Sequence, residues 1–307
     1  NATISRVWVP VYIDGNPNNV KWFEGIRQSD GSYLAKINAS EFGYQAGTYI
    51  SKVMVFLDGD IIREIGSGKT QVVDTLGALR DQIAQYIASH TYAGETWSVC
   101  VQILNSENPT IDVSNQQIQA ASVMKMFVMG AVYDNYESMI SRYGQSYVDS
   151  QLHSMITVSD NNAWVNLVTM LGYGNYSAGT NLVTNWSRAH GYNSTSMIPV
   201  EYGNYTSVRD TTKMLSDIYY GNLKYSDRML SLLKQQQRTW KIPAGVPQGV
   251  VTANKTGELY NTENDVAIIY APSGPYILSV LSTNLKSTSN AQNVIRSISS
   301  LVYNFFN

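Results

Sequence analysis

The chain has 307 residues, of which 14% are charged, with a formal net charge of -2 and an isoelectric point near 5.9. That length can bury a full core and hold more than one domain, and the lack of a positive field excludes a general affinity for nucleic acid. The single Cys100 excludes an internal disulfide, and the isolated His90, His153 and His190 lack metal-ligand spacing, so no metal and no cofactor is expected.

Residues 1–62 read as a small all-β sandwich. Residues 7–13 end at Asp14-Gly15-Asn16, residues 20–23 follow, Asp30-Gly31-Ser32 precedes residues 33–37, and residues 47–56 alternate up to Asp58-Gly59. Ile65-Gly66-Ser67-Gly68-Lys69-Thr70 has the ending of a phosphate loop, but the first glycine of that motif would fall on Arg63. Residues 63–70 are therefore expected to be a linker, and residues 71–307 the second domain.

In that domain Val72, Val73, Leu76, Leu79, Ile83, Tyr86 and Ile87 keep helical spacing. A hairpin is expected over 98–104 and 110–113 around Asn105-Ser106-Glu107-Asn108-Pro109, with Cys100 as a buried small hydrophobe. Residues 120–132 are then almost uninterruptedly apolar after Lys125, which predicts a helix opened by Ser122 and buried on all sides. Helices follow at 159–171, 178–190, 207–220 and 226–236, strands at 250–255, 265–270 and 276–282, and a closing helix at 290–305. No apolar run reaches the roughly 18 residues that span a bilayer, so no transmembrane segment is expected. The order predicts an α/β (α+β) fold, an antiparallel sheet flanked by terminal helices plus an all-helical lobe, with a cleft where the two meet.

On a helix, Ser122 and Lys125 share a face, so the amine can reach the hydroxyl and serve as its base. If Ser122 opens that helix, its backbone N–H is free for an oxyanion. Ser231-Leu232-Leu233-Lys234 has the same spacing but runs into Gln235-Gln236-Gln237-Arg238, which reads as a solvated helix end. Only Ser122 is followed by Ser159-Asp160-Asn161 and then by Lys255-Thr256-Gly257. Each triplet also has a plainer reading: Ser159-Asp160 as a helix cap, and Lys255-Thr256-Gly257-Glu258 as an edge strand with a bulge. Two ammonium groups in one cleft oppose each other's charge, so Lys125 is expected to have a lowered pKa while Lys255, nearer the mouth, stays charged.

Ser122/Lys125, Ser159/Asn161 and Lys255-Thr256-Gly257, in this order, resemble the serine penicillin-recognising enzymes: the class A β-lactamases, D,D-peptidases and penicillin-binding proteins. The resemblance covers about residues 70–307. It implies that Ser122 is the acylated nucleophile, Lys125 its base or proton relay, and Ser159 the group that returns the proton to the leaving nitrogen. Asn161 would bind the substrate amide, and Lys255 and Thr256 the substrate carboxylate. The N–H groups of Ser122 and Glu258 would form the oxyanion hole, with Gly257 bare so that substrate can approach the strand. Two departures stand out. The interval from Ser122 to Ser159 is shorter than in class A enzymes, and their Glu-x-x-Leu-Asn motif, which activates the deacylating water, has no counterpart; Glu201 is the one carboxylate in the corresponding interval, residues 191–206.

The implied activity is acyl-enzyme formation with a β-lactam or a cell-wall peptide by a secreted or cell-surface bacterial protein. The first domain resembles the GBS Bsp-like repeat of Gram-positive surfaces, which implies contact with the wall. The alternative is a non-catalytic surface binding protein that keeps this fold.

Overall fold

The computed structural model describes residues 3–58, 61–72, 75–104, 107–200 and 203–307. The chain divides into two compact units, residues 1–79 and 80–307. Of the expected features, Gly59 and Asp60, Val73, the loop residues Asn105 and Ser106, and Glu201 lie outside the described residues.

In the first unit β1 (Ile4–Ile13), β2 (Lys21–Arg27), β3 (Tyr33–Leu34), β4 (Gly47–Leu57) and β5 (Ile61–Val72) form one sheet ordered β3-β2-β1-β4-β5. Gly15 and Gly31, both at φ +87°, take the left-handed conformation that tight turns demand. Val11, Ile13, Phe42 and Tyr49 make its small core, with the rings of Phe42 and Tyr49 edge to face at 4.9 Å. The unit is mainly β as expected, with a 3₁₀ turn at Ala39–Phe42, but its described strands make a single sheet instead of two facing ones. Residues 63–70 are not a linker: they lie in β5, where Gly66 pairs with Val53 and Gly68 with Ser51. A glycine- and serine-rich stretch reads as flexible by composition, yet β4 supplies the hydrogen bonds that hold it extended.

The second unit begins in α1 (Thr75–His90), one turn later than the periodicity predicts because Gln71 and Val72 still belong to β5. Two strands follow, β6 (Thr96–Ile103) and β7 (Thr110–Val113), then β8 (Ile118–Gln119). The helical lobe comprises α2 (Lys125–Asp134), α3 (Tyr136–Tyr143), α4 (Gln145–Thr157), α5 (Asn161–Leu171) and α6 (Tyr176–Ala189). After β9 (Ser196–Met197) and β10 (Asn204–Thr206), which form a small sheet ordered β8-β10-β9, come α7 (Val208–Tyr219) and α8 (Ser226–Lys234). The chain closes with β11 (Val251–Leu259), β12 (Thr262–Ala271), β13 (Gly274–Thr283) and α9 (Thr288–Phe306).

The main sheet is antiparallel, ordered β11-β12-β13-β6-β7. Its central strands are apolar on both sides because both faces are covered. Val266, Ile268, Ile277 and Leu281 belong to the core shared with the helical lobe. The alternate residues Ala267, Ile269, Leu278 and Val280 are also buried, and α9 packs on β12 and β13 with Val294, Ile295, Ile298 and Val302. The buried helix predicted after Lys125 is present: every residue of α2 from Lys125 to Tyr133 is buried. Gly130 lets this helix sit against α6, since a Cβ there would lie 2.3 Å from the ring of Trp186. β11 is the edge strand beside the lobe, so the Lys255 segment and the turn before α2 face each other.

Candidate active site

Ser122 does not open the α-helix. It lies in a 3₁₀ turn, residues Ala121–Met124, that runs directly into α2 at Lys125. Three residues per turn align Ser122 with Lys125 even more directly than an α-helix would. The turn is held from several sides. Ala120 N–H donates to Asn204 O at 2.8 Å, and the buried Asn264 donates to Gln119 O at 2.9 Å and Ala120 O at 3.1 Å. Ala121 sits at φ +48°, a left-handed strain for a residue with a Cβ, which this surrounding structure over-determines.

Lys125 is fully buried, and its ammonium is spent on the next segment. Nζ donates to Ser159 O at 2.7 Å, to Asn161 Oδ1 at 2.7 Å and to Ser159 Oγ at 3.2 Å. Lys255 Nζ reaches the same hydroxyl at 3.0 Å from the sheet side and also bonds Thr256 O at 2.9 Å. Two amines from distant parts of the chain therefore meet at one serine oxygen. Ser159 is held at φ +63°, and Asp160 caps α5 by accepting from Ala163 N–H at 2.7 Å. The helix cap and the site reading coexist: the cap sets the turn that aims Ser159 and Asn161 at the lysines.

The expected division between the lysines is corrected. Lys255 is not near a mouth but entirely buried, and its pKa falls well below the ordinary lysine value, through burial first and the charge of Lys125 second. Lys125 is drawn down to about 8, mainly by burial and then by the Arg238 guanidinium, with Asp160 opposing. Thr256 is likewise buried. Gly257 is bare for a nearer reason than substrate approach. A Cβ there would meet Ala120 O at 2.7 Å, Val123 N at 3.0 Å and Ser122 N at 3.1 Å, so the strand docks against the turn of Ser122 itself. Glu258, the next residue, has its carboxylate paired with Arg238 at 2.9 Å and with Lys241 at 3.2 Å.

Ser122, Asn161 and Glu258 line a cleft of about 270 Å³ together with Gln119, Trp164, Tyr176, Val200 and Asn204. Trp164, whose ring lies 5.6 Å from Lys125 Nζ, and Tyr176 are not legible as cleft residues in the sequence, because a lone aromatic on a helix looks like core. The helix end expected to be solvated is so in part: Lys234, Gln235 and Gln237 are exposed, but Gln236 is buried and donates to Ile156 O at 2.7 Å, Gln237 N–H donates to Thr157 O at 2.9 Å, and Asn254 holds the half-buried Arg238 by donating to its backbone O at 3.2 Å. Ser231 and Lys234 are exposed on α8 and do not line the cleft. Burial pushes the Cys100 thiol up to about 11, which leaves it inert. Among the described residues no group of three His, Cys, Asp or Glu side chains could hold a metal ion, and no helix is long and apolar enough to cross a membrane.

Residues 139–306, more than half of the chain, match the model of the β-lactamase enzyme family, a range that contains Ser159, Asn161 and Lys255 but begins after Ser122 and Lys125. No curated protein sequence matches significantly. Solved structures do. PBP-A is 21% identical, with 75% of this chain and 96% of that one covered and a TM-score of 0.66. A variant of PBP-A in an acyl-enzyme complex with penicillin G is 22% identical, covering 75% and 97%, at 0.66. A β-lactamase from Sphaerobacter thermophilus is 21% identical, covering 72% and 95%, at 0.62. At these identities the likeness establishes the fold.

Proposed function

The chain belongs to the β-lactamase enzyme family, and from that premise we propose that it is a serine hydrolase forming an acyl-enzyme through Ser122 with a β-lactam or a peptidoglycan-type peptide. The observation that carries this reading is the convergence of Lys125 and Lys255 on Ser159 Oγ behind a cleft that Ser122 lines. A lysine with a pKa of about 8 is neutral in roughly a tenth of molecules at pH 7, enough for its amine to take the Ser122 proton as Oγ attacks the acyl carbon. The proton then passes from Lys125 through Ser159 to the leaving nitrogen, so the amine ends neutral and the hydroxyl intact. The N–H groups of Ser122 and Glu258 would hold the oxyanion, because Gly257 brings the two backbones together. That a variant of the structurally similar PBP-A is known as a penicillin G acyl-enzyme supports the assignment.

Without the Glu-x-x-Leu-Asn motif, the acyl-enzyme is proposed to deacylate slowly or to pass its acyl group to an amine, as D,D-peptidases and transpeptidases do. Glu201 is the candidate water activator by sequence. Nitrocefin should give a burst followed by slow turnover; fast steady hydrolysis would reveal a working deacylation base. Substrates of this kind lie outside the cytoplasm, so a cell-surface location is proposed, with the first unit in contact with the wall. Sedimentation of the full chain with isolated cell walls, and its loss when residues 1–72 are removed, tests that role. Covalent labelling by fluorescent penicillin tests the main reading, and labelling of Ser122→Ala at the wild-type rate would refute it.

A further inference from the structure

Hydrolysis of an acyl-enzyme needs a water that can reach both the acyl carbon and a base. Of the described residues that line the cleft, Glu258 is the one carboxylate, and Arg238 Nη1 holds its Oε2 at 2.9 Å. Lys125 is the nearer candidate, and its Nζ donates to Ser159 O, Ser159 Oγ and Asn161 Oδ1. Neutral Lys125 gives up one of these bonds, and the lone pair so freed is what a proton donor must reach. Ser122 reaches it from three positions earlier on the same helical path, whereas a water has to come through the cleft. Trp164 both lines the cleft and covers the amine: it follows Asn161 by three residues on α5, and its half-buried ring has its centroid 5.6 Å from Lys125 Nζ. A water between the two would need about 2.9 Å to the nitrogen and about 3.5 Å to the ring, roughly 6.4 Å in all, so none fits on that line. The indole N–H is buried without a partner, so what the ring offers the cleft is carbon. Asp160 fixes the placement: its side chain accepts from Ala163 N–H at 2.7 Å and its backbone oxygen from Trp164 N–H at 3.4 Å.

We propose that Trp164 is a water shield, which keeps hydrolytic water from Lys125 in the acyl-enzyme and so prolongs the bond to Ser122 until an amine takes the acyl group. The inference rests on the acyl-transfer reading of the cleft and names the residue that sets the fate of its intermediate. In hydrolysis the water oxygen bonds to the acyl carbon, the bond from that carbon to Ser122 Oγ breaks, and the proton of the water travels by way of a base to Oγ. Trp164 touches none of these atoms; it is a positioning residue that acts on access to the base. Release to an amine retraces the proton path through Ser159 and does not call on the covered side of Lys125. Excluding water from a reactive intermediate costs no chemistry of its own, only an apolar surface held in place.

The test follows the penicillin G adduct of the full chain by intact mass after excess penicillin has been removed. Trp164→Ala should shorten the half-life of the adduct by about tenfold, while Trp164→Phe, which keeps a ring, should stay within about twofold of the wild type. Acylation measured on the same proteins should not rise with it. A ring that merely supported the fold would not behave in this way, because its loss would slow hydrolysis along with acylation. An unchanged or longer half-life in folded Trp164→Ala overturns the proposal, as it does in Trp164→Leu if the alanine variant does not fold. So does equal shortening in Trp164→Phe, or a wild-type adduct too short-lived to isolate. Adducts that form but decay in the wrong order refute this inference alone; no adduct on any of these proteins refutes the acyl-transfer reading beneath it.

Discussion

Lys125 is buried, yet the proposed chemistry requires its amine to exchange a proton. Its pKa is lowered to about 8, so the neutral amine, the form proposed to accept the Ser122 proton, grows as pH rises through 8. Acylation by penicillin should therefore rise with pH up to about 8 to 9 and flatten above; a stopped-flow profile that is flat or falls over pH 6–8 contradicts the role. Lys125→Ala should slow acylation by about a hundredfold or more, because it removes the base and strands Ser159 O and Asn161 Oδ1 without their donor. The serine and its lysine were legible in the sequence because their relation is local, three positions along one helical path. The depth of Lys255 was not, because burial belongs to strands and helices that meet only in the folded chain. Arg238 was missed for the same reason: its partners Glu258 and Asn254 are on β11, and beside three glutamines it looks like surface.

Between elements, the site depends on how closely β11 docks on the turn before α2. Gly257→Ala would put a Cβ against backbone atoms on the opposing turn, with no flexible side chain to yield, and should cost about 1–3 kcal/mol of stability while suppressing penicillin labelling. Thermal unfolding and labelling measured on one preparation check both; a variant that labels normally would show that the turn of Ser122 tolerates displacement. Asp160→Ala removes the cap of α5 and should cost about 1 kcal/mol, with a larger relative loss in acylation because the same turn aims Ser159 and Asn161. Periodicity located most helices and strands of the second unit to within a few residues, since their apolar stripes follow from which face each one buries, but it did not delimit α3 and α4 over residues 136–157. It failed at residues 63–70, where the composition of a linker conceals a paired strand whose hydrogen bonds come from β4.

At the scale of the molecule, the proposed chemistry resides wholly in the second unit. Every residue in the cleft, from Gln119 to Leu259, belongs to residues 80–307. A chain of residues 75–307, which keeps α1 whole, should accordingly acylate at a rate within about twofold of the full chain; loss of labelling by a folded truncation would place part of the function in the first unit. Sequence order alone brought Ser122, Ser159 and Lys255 into one hypothesis, and the fold places the second and third around Lys125. The measurement that bears most directly on the central claim is intact mass after incubation with penicillin G, followed by peptide mapping. A single adduct of the whole penicillin mass, located on the peptide containing Ser122 and absent from Ser122→Ala, is the predicted result. No adduct, or one that persists in Ser122→Ala, would contradict it.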